Sequence, residues 1–253
     1  MPRVLAVANQ KGGVGKTTTA VNLAAGLALA GKTVLLVDLD PQANASSGLG
    51  VQVHATPTDH PFAAQEPKTY TTPVSSGRPG LSVLPSAPGL LRLEQELHGR
   101  HGSGHRLENY LSGHMAADFV IIDCPPTVGL LTKNALVAAQ GVIVPIQCEY
   151  YAMEGLSRIL REVDEMRRAH NPGLQLGGIL LTMYDPKLEL SDEVRDEVQA
   201  NFPNDLFQTI IPRDVALSEA SSFGRTIFEY ESRSRAAFAY GALTREVLSN
   251  DQT

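Results

Sequence analysis

Cysteine is scarce in this chain: there are two among 253 residues, Cys124 and Cys148, with no C-x-x-C spacing. That pair cannot supply a disulfide framework or a thiolate zinc site, and a reducing cytoplasm fits it. Excess positive charge is also lacking. Lys and Arg number 21 against 27 Asp and Glu, a formal net charge of −6, so any contact with a polyanion must rest on a local patch. No apolar run approaches the length of a membrane span, and no charged-then-apolar leader is visible. With 43% hydrophobic and 19% charged residues, the chain has enough apolar material for one well-buried α/β domain and too little length for two.

Short β-branched and leucine runs alternate with helical patterns. Strands are expected near 3–9, 33–38, 81–85, 118–123, 141–147, 176–182 and 207–211, with a helix from Lys16 to Ala30. This βαβ rhythm predicts a single domain over 1–253, a mostly parallel twisted sheet with helices on both faces. Runs such as Val120-Ile121-Ile122 and Val142-Ile143-Val144 are apolar throughout, as central parallel strands are. Residues 51–80 interrupt the rhythm with repeated X-Pro pairs, and a surface loop is expected there.

Directly after the first apolar run comes Gln10-Lys11-Gly12-Gly13-Val14-Gly15-Lys16-Thr17-Thr18. A strand that turns through glycines into a helix leaves several backbone N–H groups facing one concavity at the positive end of the helix dipole. Lys16 then reaches the β and γ phosphates of a nucleoside triphosphate, and Thr17 offers a hydroxyl to Mg²⁺. The ordinary Walker A pattern wants glycine where Gln10 stands, and this chain adds a second lysine, Lys11. A dinucleotide fingerprint fails, because Thr18 occupies the place of its last glycine. Asp123 ends an apolar strand in Walker B fashion and would hold Mg²⁺ through a water. Asp38 and Asp40 end the second strand two residues apart, on one side of it if the strand is regular, although two carboxylates could simply solvate a strand end ahead of Pro41. Ligands of such sheets bind at the carboxyl ends of the strands, so these groups should converge on one site.

The doubled-lysine run K-G-G-V-G-K-T-T resembles the deviant Walker A P-loop ATPases: ParA/Soj partition proteins, MinD and the nitrogenase iron protein. Four further segments are similar to ParA/Soj stretches in the same order: Val34 to Asn44 with its Asp38-Leu39-Asp40-Pro41-Gln42, Phe119 to Leu136, Val144 to Gly155, and Ile211 to Ala220. The resemblance implies roles. Lys11 would cross a two-fold interface to the phosphates of a partner's ATP, Gly12 would leave room for that subunit, and Asp40 would position or activate the hydrolytic water with Asp38 lining the site. Thr182, Met183, Pro212, Arg213 and Asp214 would border the adenine.

It also implies a function: an ATP-dependent, Mg²⁺-requiring ATPase, weak by itself, whose ATP-sandwich homodimer binds double-stranded DNA non-specifically. A ParB/Spo0J-type partner would stimulate it, in the cytoplasm and on the nucleoid, to partition a chromosome or plasmid. The alternative is a MinD-like positioning ATPase, which should end in a basic amphipathic membrane-binding helix; this chain ends Leu243 to Thr253, polar and acidic at the tip, so no membrane partner is expected. An iron–sulfur reductase would need cluster cysteines that Cys124 and Cys148 do not supply. With the phosphate loop starting at residue 10, no helix-turn-helix is expected before it. The short amphipathic helix of relatives is not visible in 54–70. For DNA, the candidates are Lys187, Arg213, Arg225, Arg233 and Arg235, while Asp214 and Ala216 stand where asparagine and arginine are usual in the family.

Overall fold

Strands β1 (Arg3–Val7), β2 (Val34–Asp38), β3 (Val74–Arg78), β4 (Leu81–Leu84), β5 (Phe119–Asp123), β6 (Gly141–Gln147) and β7 (Gln175–Thr182) form one sheet in the order β3-β4-β2-β5-β1-β6-β7. The structure is a computed structural model and describes residues 2–52, His60, 72–114 and 116–250. Every pairing is parallel except that of β3 with β4.

The helices are α1 (Lys16–Leu29), α2 (Asn44–Gly48), α3 (Leu90–Leu97), α4 (Arg106–His114), α5 (Leu130–Ala138), α6 (Ala152–Ala169), α7 (Glu189–Asn201), α8 (Val215–Ser222), α9 (Ile227–Tyr230) and α10 (Arg235–Asn250). Strand side chains alternate between two cores, as the two-residue period requires. Val4, Ala6, Leu35, Val37, Val120 and Ile122 pack with Leu90, Leu107, Leu131 and Leu156 of α3 to α6. Leu5, Val7, Leu36 and Ile121 pack with Leu23 and Leu27 of α1 and Tyr240 and Leu243 of α10. Helices thus cover both faces, which is why the central strands carry no polar side.

The connection from β1 to β2 passes over β5, and that from β5 to β6 passes over β1. Where chain order reverses, a crevice opens at the carboxyl ends of the strands. Register places the ends together: Val7 and Asp38 both lie beside Asp123.

Two expectations need correction. Residues 207–211 are not a continuous strand: the N–H groups of Phe207 and Ile211 donate to the carbonyls of Ile179 and Leu181 of β7. Between them the N–H groups of Gln208 and Thr209 turn to the Glu246 carboxylate of α10, at 2.7 and 3.1 Å, leaving only isolated bridges. Within 51–80, the polar run Val74–Arg78 is an edge strand antiparallel to β4 rather than loop. It has no apolar alternation to betray it, because it borders the sheet and is mostly exposed. The remainder of that segment, including 54–70, falls largely outside the described residues. No helix among the described residues is long and apolar enough to cross a membrane.

Candidate nucleotide-phosphate site

The phosphate loop joins β1 to α1 in the conformation its glycines allow. Gly13 and Gly15 take φ of +78° and +86°, the left-handed region that a side chain resists, and Gly15 caps α1 without any side-chain hydrogen bond. The first N–H groups of α1 therefore face the crevice. Gly12 differs: its backbone lies outside that region, and a Cβ there would meet nothing within 4 Å among the described residues. Neither its backbone nor the packing within this subunit requires glycine at that position. Val14 is buried, and its carbonyl accepts from Thr182 Oγ1 at 2.9 Å, so the end of β7 props the loop from below.

Both loop lysines are held. Lys16 is 7% exposed and its Nζ donates to the Lys11 carbonyl at 3.1 Å. Burial lowers its pKa, opposed by the charge of Asp123. Lys11 has its N–H on Asn9 Oδ1 at 3.0 Å, and its Nζ forms an ion pair with Glu149 Oε2 at 2.9 Å. Asn9 in turn donates to the Pro145 carbonyl of β6.

Asp123 is fully buried. Its Oδ2 accepts from Thr17 Oγ1 at 2.7 Å, while its Oδ1 has no partner among the described residues. Burial pushes its carboxyl well above the usual carboxylate range, Asp38 adds to the rise, and Thr17 and Lys16 oppose it. An orphaned buried carboxylate oxygen costs stability unless something completes it. A hydroxyl and a carboxylate already side by side, next to a phosphate cradle, fit Mg²⁺, which takes one or two protein oxygens plus phosphate oxygens and waters.

Asp38 faces inward instead. Its Oδ2 accepts from the Ser46 N–H at 2.8 Å and Ser46 Oγ at 2.7 Å, and its Oδ1 from the Asp40 N–H at 3.2 Å. Burial raises its pKa to about 6 against these hydrogen bonds. Asp40 remains 8% exposed, and its Oδ1 accepts from the Gln42 N–H.

The strand end at Met183 (φ +51°) and the loop at Pro212 come together: Tyr184 N–H donates to the Ile211 carbonyl and Arg213 N–H to that of Tyr184. The carboxylate of Asp214 is committed to helix starts, accepting from Ala216 N–H of α8 at 3.1 Å and Ala236 N–H of α10 at 3.3 Å. Its charge is thereby offset by two helix N-termini. Of the basic candidates, Arg213 and Arg235 are neighbours, since Arg235 Nη2 lies 3.5 Å from the Arg213 carbonyl, and Lys187 sits on the turn after Tyr184. Arg225 stands apart, lining a cavity of about 340 Å³ with Thr17, Thr18, Asn22 and Asn44. Arg233 is exposed between α9 and α10.

Comparison with known proteins identifies the family. A family model described as an AAA domain matches residues 2–176. The chromosome-partitioning ATPase Soj of Thermus thermophilus is 46% identical over 253 residues, spanning 99% of this chain and 97% of that protein. The chromosome partitioning protein ParA of Myxococcus xanthus is 44% identical over 251 residues, spanning 98% and 89%. The chain belongs to the ParA/Soj family of partition ATPases. Among solved structures, cobyrinic acid a,c-diamide synthase of Mycobacterium smegmatis with bound ADP and magnesium matches with a TM-score of 0.84 and 35% identity, over 100% of this chain and 96% of that one.

Some ParA/Soj site neighbours escaped the sequence. Asn9 stands just before the phosphate loop and Glu149 within the segment Val144 to Gly155, yet nothing in their spacing marks them as partners of Lys11. Ser46 and Ser86 look like ordinary loop serines until the fold buries them beside Asp38 and Asp40.

Proposed function

We propose that this protein is a dimerising ATPase that partitions a chromosome or plasmid, with ATP and Mg²⁺ as its ligands. The observation that carries this reading is Gly12 beside Lys11: a glycine that its own subunit does not need, next to a lysine at the mouth of a phosphate cradle. A facing subunit and its nucleotide explain both. Lys16 and the loop amides bind the phosphates, exchanging the Lys11 carbonyl for phosphate oxygen. Thr17 and Asp123 would hold the metal, which when bound would supply positive charge to offset that of the phosphates. Asp40 orients the attacking water. Lys11 leaves Glu149 and supplies positive charge in trans, as an arginine finger does. ATP thus joins two subunits and hydrolysis releases them.

The dimer binds double-stranded DNA without sequence preference through Arg213, Arg235 and Lys187, with Arg225 and Arg233 as further candidates. Pairing two weak patches across a two-fold axis compensates for the acidic net charge. The intrinsic turnover is low, and a basic segment of a ParB/Spo0J-type protein, drawn to this acidic chain, raises it severalfold. The protein acts in the cytoplasm, on the nucleoid. The test is a salt titration of the ATP-bound protein on unrelated duplexes, alone and with Arg213→Ala. Affinity should fall steeply with salt, with the slope flattened by about one unit in the variant. Equal binding by a monomeric Lys11→Ala variant, or none to any duplex at low salt, would refute the DNA role.

A further inference from the structure

Asp40 is gripped through its main chain by its own segment and by Ser86, which lies outside the four segments similar to ParA/Soj stretches. Its N–H goes to Asp38 Oδ1, and its carbonyl accepts from Ser86 Oγ at 2.6 Å and from the Ala43 N–H at 2.8 Å. Ser86 N–H donates to Ser46 Oγ at 3.2 Å, and Ser46 Oγ donates to Asp38 Oδ2. The ring Asp40, Asp38, Ser46, Ser86 and back to Asp40 is closed, and Asp38, Ser46 and Ser86 have no exposed surface. The turn that follows is strained despite its own hydrogen bonds, because Ala43 has φ of +55°, an uncommon value for a residue with a side chain.

Ser86 lies between β4 and α3, and α3 reaches the other side of the crevice. Glu94 Oε1 accepts from the Leu131 N–H at the start of α5 at 3.1 Å, immediately after the loop that descends from Asp123. That contact is close-fitting, since a Cβ on Gly129 would lie 2.1 Å from Glu94 Oε1. One short stretch of chain therefore touches both loops that carry the acidic residues of the site.

We propose that Ser86 is a positioning residue for hydrolysis, fixing the main chain of Asp40 through its hydroxyl so that the carboxylate keeps its aim at the attacking water. This rests on the reading of Asp40 as the water-orienting group. Losing the hydroxyl leaves a buried carbonyl short of one donor and frees a strained turn to relax, moving the Asp40 carboxylate while the phosphate cradle, built from β1 and α1, stays in place. Turnover and nucleotide affinity should therefore separate.

The experiment compares single-turnover hydrolysis, nucleotide affinity and melting temperature in Ser86→Ala, Ser86→Cys, Ser86→Thr, Asp40→Ala and the Ser86→Ala/Asp40→Ala double variant. Ser86→Ala should slow hydrolysis about ten- to hundredfold, the range expected when a catalytic group is misplaced by up to an ångström, with ATP affinity within about twofold of wild type. Ser86→Cys, which keeps the volume but donates weakly, should behave likewise, and Ser86→Thr should recover much of the rate. In the Asp40→Ala background Ser86→Ala should add no further loss, because the two act through one group. Unchanged turnover in Ser86→Ala and Ser86→Cys, a parallel fall in affinity, or an additive loss in the double variant would overturn the proposal alone. Wild-type turnover in Asp40→Ala would overturn the reading of Asp40 and this proposal with it.

Discussion

Asp123→Asn separates a metal-facing oxygen from a merely buried one. In the wild type, Oδ2 is engaged by Thr17 and Oδ1 has no partner among the described residues. Asparagine can keep the Thr17 hydrogen bond with its one oxygen and would put an NH₂ where Oδ1 stands, a donor that cannot accept from a metal-bound water. A ligand at a hundred times its Kd stabilises the folded state by about 2.7 kcal/mol. For a chain of this size each kcal/mol moves Tm by about 2–4 °C, so saturating Mg·ATP should raise the wild-type Tm by about 5–10 °C. Asp123→Asn should lose the part of that rise that disappears from the wild type when EDTA replaces Mg²⁺, and keep the part due to ATP alone, which Lys16 and the loop amides provide. Without ligands its Tm should stay within about 3 °C of wild type, because burial already disfavours the carboxylate charge. Differential scanning fluorimetry with apo, ATP–EDTA and Mg·ATP samples reads all three. A full Mg²⁺-dependent shift in the variant would refute the assignment of the orphaned oxygen, and a collapsed ligand-free Tm would make Asp123 a structural residue first.

Two further outcomes follow from burial and packing. Asp38 has a folded-state pKa of about 6 against an unfolded value of 3.8. It therefore holds its proton more tightly when folded, and its contribution to stability is greatest at low pH and is lost as pH rises from about 4 to 6, a change of about 3 kcal/mol. Denaturant unfolding without nucleotide should show the stability difference between wild type and Asp38→Asn declining by that amount over the window, and a flat difference would refute the shift. Gly26 of α1 faces Thr244 of α10, where a Cβ would lie 2.1 Å from Thr244 Oγ1. Gly26→Ala should cost about 1–3 kcal/mol in chemical denaturation despite the better helix propensity of alanine, and adding Thr244→Ala should restore it; an undiminished loss in the double variant would locate the strain elsewhere.

What could be read from the residues depended on whether the signal was local. The strands of the central sheet announce themselves as apolar runs because both faces are covered, and the phosphate loop because glycine, lysine and threonine have to stand at fixed spacing to reach a phosphate. Asp38 and Asp123 were legible as strand ends, but their different fates were not. Asp38 turns inward because Ser46, eight residues on, returns to satisfy it, whereas Asp123 keeps a free oxygen. The edge strand Val74–Arg78 has no pattern of its own and exists through its partner β4. Asp214 read as an added acid on a DNA-facing surface, yet its carboxylate caps two helices. Long-range partners such as Glu149 for Lys11 and Ser86 for Asp40 are set by the fold, 138 and 46 residues apart, and no spacing rule reaches that far.

Light scattering on Asp40→Ala with Mg·ATP tests the dimer reading most directly, because that variant should bind nucleotide without consuming it. The mass should double from 27.1 kDa on adding Mg·ATP, remain single with ADP or no nucleotide, and return to the monomer when Lys11→Ala is introduced into the same chain. A persistent monomer under saturating Mg·ATP, or a dimer indifferent to Lys11, would contradict the nucleotide-sandwich mechanism.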